Sequence, residues 1–71
     1  MRVYLEYFKS NGNYVASGEY ESSCNRMKTI TEEVRSKLYK RSLPGLIRPH
    51  TALIIRIAAE EIDYPSVLGS Y

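Results

Sequence analysis

Cys24 and His50 are the only thiol and the only imidazole in the chain. A cysteine in the first turn of a helix gains acidity, because the helix amides stabilise a thiolate. A histidine folded against it would be the base of a nucleophilic pair. Cys24 also falls on the apolar stripe of the helix that follows, where a thiol packs as a small hydrophobe. With no third group to orient the imidazole, packing is the expected role. A single cysteine excludes an internal disulfide and a Cys-based zinc cage, and a single histidine excludes a multi-histidine metal site. Glu60, Glu61 and Asp63 cluster, but a hard cation needs about six or more oxygens from a defined loop. They are read as a solvated group. Leu43-Pro44-Gly45-Leu46 sets one glycine beside a proline, which suits a turn and not a phosphate cradle. The expectation is no cofactor, no metal and no enzymatic activity, since catalysis needs a pocket of convergent, shifted groups.

Two features fit binding better. Arg35, Lys37, Lys40, Arg41 and Arg48 fall within fourteen residues with no acid among them. Cations near Tyr39, with Tyr4 and Tyr14 elsewhere, are the ingredients of a surface that engages phosphates and stacks on bases. The sequence has neither the aromatic strand pattern of an RRM nor the glycine loop of a KH domain. Nucleic-acid binding through this basic side is therefore the alternative reading. The second feature is seven tyrosines, with no tryptophan, in 71 residues. Tyrosine buries much area at low entropic cost and is enriched at protein interfaces.

These side chains need elements to hold them. Residues 2–9 are rich in β-branched and aromatic types and predict a strand. Asn11-Gly12 predicts a two-residue type I′ turn, and Tyr14 to Glu21 the return strand. That turn pairs Val3 with Tyr20, Leu5 with Gly18 and Tyr7 with Ala16. One face then carries Val3, Leu5, Tyr7, Ala16, Gly18 and Tyr20, with its two smallest residues adjacent, leaving room for a close helix. The other face carries Tyr4, Glu6, Phe8, Val15, Ser17 and Glu19. Ser22-Ser23 supplies an N-cap. Cys24, Met27, Ile30, Thr31, Val34 and Leu38 then recur at helical spacing. Arg26, Glu33, Lys37 and Lys40 lie opposite that stripe, with Glu33 and Lys37 placed for an i, i+4 pair. Leu43-Pro44-Gly45 stops the helix. Thr51 to Ala59 reads as a strand on its isoleucines, although Ala58-Ala59-Glu60-Glu61 favours helix. A hairpin plus one helix leaves an open edge that a third strand would cover. Tyr64-Pro65 predicts a turn, after which Val67-Leu68 fold back onto the core.

The expected architecture is one α+β domain over residues 1–71, with β-β-α-β order and a three-stranded antiparallel sheet in order 2-1-3. A right-handed crossover sets the third strand beside the first, and the helix covers one face. The expected core is Val3, Leu5, Tyr7, Met27, Ile30, Val34, Leu38 and alternate residues of the third strand. Apolar residues at 44% and charged residues at 25% fit a globular domain. No apolar run approaches the length of a membrane helix. Met-Arg-Val-Tyr-Leu-Glu puts a carboxylate where a secretory signal would be apolar, so a cytoplasmic protein is expected. The net charge of +2 is unevenly spread: residues 24–48 carry seven bases and two acids, the remainder three bases and six acids.

By size and β-β-α-β plan the chain resembles small phage and mobile-element proteins that inhibit a host machine by docking on it, a likeness of fold that covers no motif. The expected function is a small protein-binding module, an inhibitor or adaptor acting by surface occlusion. Its expected contacts are Tyr4, Phe8 and Val15 on the open sheet face, with Lys37, Lys40 and Arg41 as charged contacts. Homodimerisation through that face is the competing arrangement.

Overall fold

The computed structural model describes residues 1–45 and 53–69. Its elements are β1 (Arg2–Phe8), β2 (Tyr14–Glu21), α1 (Met27–Tyr39), β3 (Ile54–Ala59) and β4 (Ile62–Leu68). The four strands form one antiparallel sheet in order β2-β1-β3-β4. The expected 2-1-3 arrangement is present, but a fourth strand extends it. Pro65 had pointed to a turn, whereas the chain reverses at Glu60 and Glu61 and Pro65 lies inside β4. Proline lacks the donor that an inner strand needs, so an edge strand is where it is tolerated. Pairing of β4 with β3 is interrupted between Ile57 and Ala59, opposite the stretch that contains Pro65.

The hairpin keeps its expected register by an unexpected route. Lys9 donates to the Asn13 carbonyl at 2.8 Å and Gly12 to the Lys9 carbonyl at 2.9 Å. Gly12, at φ +88, is the only left-handed residue of the turn. The loop is thus a three-residue turn closed by glycine, not a type I′ turn. It pairs Phe8 with Tyr14, and the shift between Tyr7 and Phe8 leaves Val15 as an extra residue, a bulge that restores the Tyr7–Ala16 pairing. From Tyr7 to Arg2 the pairing is the expected one.

Alternation then sorts the side chains. Val3, Leu5 and Tyr7 on β1 lie beside Ala59, Ile57 and Ile55 on β3. With Met27, Ile30 and Val34 from α1, Leu43, Leu53 and Leu68, they form the core. Leu38 and Cys24 are half-buried against it. The expected core holds except at Leu38, which lies half-buried at its margin; Leu43 is added and Leu68 is brought in as part of β4.

Gly18 serves a different neighbour from the one its size suggested. A Cβ there would lie 2.4 Å from the Pro44 carbonyl oxygen. It is the chain leaving α1, not the helix, that approaches β2 closely. Tyr7 holds it there by donating its hydroxyl to the Pro44 carbonyl. Gly45, at φ +79, leaves that segment by a conformation that L residues rarely adopt.

Both helix ends depart from expectation. The N-cap is Arg26, and no side chain caps it. Ser22 instead accepts from the Cys24 amide at 3.0 Å, in a turn ahead of the helix. At the other end the helix stops at Tyr39, well before Pro44. Arg41 takes a left-handed φ of 56, its amide bonds to the Leu38 carbonyl, and the Ser42 amide reaches back to Lys37. This 6→1 and 5→2 pair is a Schellman ending, with arginine where glycine is usual.

Candidate protein-docking face and its surroundings

The sheet has two unlike faces. The inner one is closed by α1 and by Leu43 to Gly45. No second layer covers the outer one among the described residues. Its rows follow from the register: Arg2 beside Glu21; Tyr4 between Glu19 and Ala58; Glu6 between Ser17 and Arg56; Phe8 between Tyr14 and Ile54. Val67 extends the third row from β4. Tyr4, Tyr14 and Val67 are 42%, 60% and 62% exposed. Phe8 and Tyr14 meet edge to face, centroids 6.1 Å apart, an arrangement that aromatic quadrupoles favour. Arg56 donates to Glu6 Oε1 at 2.7 Å, so one ion pair sits in the middle of this surface.

Tyr4 and Phe8 are therefore on the outer face. Val15 is not paired with Phe8 as expected. The bulge puts Tyr14 opposite Phe8 and leaves Val15 half-buried, packed against the core. Lys37, Lys40 and Arg41 belong to α1 and its end, on the other side of the sheet. The candidate contacts thus fall on two layers. Lys37 is occupied: its Nζ lies 5.0 Å from the centroid of the Tyr20 ring, a cation–π contact. Lys40 and Arg41 are exposed, as are Arg35 and Tyr39, the last 90% so. Arg48 and His50 lie outside the described residues.

No family model, no curated protein and no solved structure matches the chain.

A polar cluster that the periodicity did not reveal lies where β2 passes under α1. Glu33 was expected on the solvent side, paired with Lys37. It is half-buried, and its Oε2 accepts from the Cys24 thiol at 3.2 Å. Cys24 precedes Arg26, so the helix-terminus argument for a reactive thiolate does not apply to it. The Tyr20 hydroxyl and Glu33 Oε1 are both buried, and among the described residues neither has a partner of hydrogen-bonding geometry. Burial by itself would raise the Glu33 carboxyl. The polar groups of Tyr20, Cys24 and Ser22 and the Lys37 charge outweigh it and hold the carboxyl below its ordinary value, and of these Cys24 makes a hydrogen bond of regular geometry. Burial, and then the carboxylate, push the Tyr20 hydroxyl up. The sequence signal for this cluster was slight: Glu33 sits beside Val34, at the margin of the apolar stripe.

Among the described residues no three metal-ligating side chains are grouped, and no helix is long and apolar enough to cross a membrane.

Proposed function

We propose that the chain is a small non-enzymatic protein-binding module, an inhibitor or adaptor that acts by occupying a partner's surface through the outer face of its sheet. The observation that carries this reading is the uncovered face itself. Tyr4, Phe8, Tyr14, Ile54 and Val67 surround the Arg56–Glu6 ion pair there. Exposed aromatic groups gathered on one face are the signature of an interface and not of ordinary surface. Affinity capture from the source cells tests this reading, comparing the natural chain with Tyr4→Ala/Phe8→Ala and with Lys40→Glu/Arg41→Glu. The double alanine variant is expected to lose its protein partner while remaining folded by circular dichroism. Equal capture by the natural chain and both variants would remove the outer face from the reading.

One observation favours the alternative, nucleic-acid binding. Tyr39 stands exposed beside Lys40 and one turn from Arg35, so an aromatic ring and two cations share one helix end. A mobility-shift titration at two salt concentrations distinguishes the readings. Phosphate binding through this end requires affinity to fall steeply with salt and to vanish in the Lys40→Glu/Arg41→Glu variant.

A further inference from the structure

The outer face has a depression of about 400 Å³ lined by Tyr4, Glu6, Ser17, Glu19, Arg56 and Ala58. It exists because small residues flank large ones: Ser17 lies beside Glu6, and Ala58 beside Tyr4. Its volume is at the low end of ligand-sized sites, suited to one long side chain. One wall is already used, since the Arg56 guanidinium lies against Glu6 at 2.7 Å. The opposite wall is the Tyr4 ring with the Glu19 carboxylate as its lateral neighbour. Among the described residues the cation paired with Glu19 is Arg2, at a distant 3.9 Å, and Glu19 is more than half exposed. An aromatic ring beside a loosely paired carboxylate attracts a cation from both directions.

The surrounding charge has the same sign. Along the strand ends, Glu19, Glu21, Glu60, Glu61 and Asp63 are gathered against Arg2 and the Met1 ammonium, because Ala59 pairs with both Val3 and Ile62 and the Glu60 amide donates to the Arg2 carbonyl. The other end of the face, Phe8, Tyr14 and Ile54, is apolar. A partner that fits is therefore basic over one half of its contact and apolar over the other.

We infer that the outer sheet face receives a basic segment of a protein partner, with one arginine or lysine side chain entering the depression between Tyr4, Glu6 and Glu19. This inference rests on the docking reading above and specifies the partner's chemistry. The entering cation lies on the Tyr4 ring and against the Glu19 carboxylate, away from the Arg56–Glu6 pair, while a neighbouring apolar side chain of the partner covers Phe8. Two copies of this chain do not satisfy it face to face, since each would present the same excess of carboxylates.

The test uses the full chain and two synthetic probes: an extended peptide alternating arginine and valine, and the same peptide with glutamate for arginine. In amide NMR spectra the arginine peptide is expected to give saturable shifts at Tyr4, Glu6, Ser17 and Glu19, and the glutamate peptide none. Glu19→Gln should weaken binding roughly fivefold, the range of an exposed ion pair. Tyr4→Ala should weaken it at least as much, and Lys40→Glu/Arg41→Glu should leave it unchanged. Shifts confined to Glu60, Glu61 and Asp63, equal binding of both peptides, or no saturable binding would overturn the inference. So would concentration-dependent self-association that the peptide competes away, which would make a second copy the occupant. If the peptides fail while Tyr4→Ala/Phe8→Ala still abolishes capture of the natural partner, the docking reading stands and only the basic-partner assignment falls.

Discussion

At the scale of single residues, Glu33 is the position with the most to lose. It is a half-buried carboxylate whose ordinary value near 4.5 is lowered in the fold. Above about that pH both the folded and unfolded chains hold Glu33 ionised, and its stabilisation is present in full. As the pH falls through 4.5 the unfolded chain takes up the proton first, so the stabilisation drains away until the folded form is protonated as well. Glu33→Gln should therefore destabilise the protein at neutral pH by on the order of 1 kcal/mol, the worth of a typical internal hydrogen bond. The gap to the natural chain should close in acid. Urea unfolding at neutral pH and below pH ~4 measures both halves. A gap that stayed constant with pH would mean that the carboxylate acts by shape alone. Some acid dependence should survive in the variant, because the Met1 ammonium, bonded to Glu21 at 2.7 Å, lowers that carboxyl too.

At the scale of elements, β4 is the decisive addition. It closes the β3 edge and delivers Leu68, 1% exposed, to the core. Leu68→Ala should cost about 2–5 kcal/mol, as truncation of a buried leucine does. A core this small supplies roughly 3–5 kcal/mol in all, so the variant should be largely unfolded at room temperature by circular dichroism. A cost below about 1 kcal/mol, the range of surface substitutions, would mean that the strand is dispensable and that the three-strand plan suffices. The sequence made the inner part of this fold legible because two periods were clear: alternation along residues 2–8, and helical spacing through Met27, Ile30 and Val34. Register was legible for the same reason, since slipping by one residue would expose Val3, Leu5 and Tyr7 together. It failed where one local signal competed with a tertiary one. Pro65 is a turn residue by local preference, but the edge of a sheet accommodates it. Ser22-Ser23 is a cap by composition, but the backbone turned before the helix began. Arg41 is the converse case, a residue with no propensity for left-handed φ that takes it because the helix must end there. The outer face was legible through Tyr4 and Phe8, whereas the Tyr20–Glu33–Cys24 cluster was not, because it joins residues that no single period connects.

At the scale of the molecule, the charge map and the layering decide how the protein meets others. It is thin, with principal extents of 29 × 23 × 16 Å, and the aromatic side chains of the outer face, Tyr4, Phe8 and Tyr14, lie on the other side of the sheet from Arg35, Lys40 and Arg41 at the end of α1. Sheets with open edges invite pairing with another copy, and here each edge carries a deterrent. β4 has Pro65 and an interrupted ladder on its inner side. β2 presents the exposed carboxylates of Glu19 and Glu21, which would face like charges on a second β2. The outer face repels itself by the same excess. The isolated chain is therefore expected to sediment as an 8.2 kDa monomer at micromolar concentration and moderate salt. Glu19→Thr/Glu21→Thr should remove the β2 deterrent and add strand propensity, producing dimers or larger species under the same conditions. Sedimentation velocity across a concentration series reads both results. A natural chain that is already dimeric, and whose dimer dissociates on Tyr4→Ala/Phe8→Ala, would assign the outer face to self-association. A dimer indifferent to that variant would implicate an edge instead, and the charge argument for β2 would fail with it.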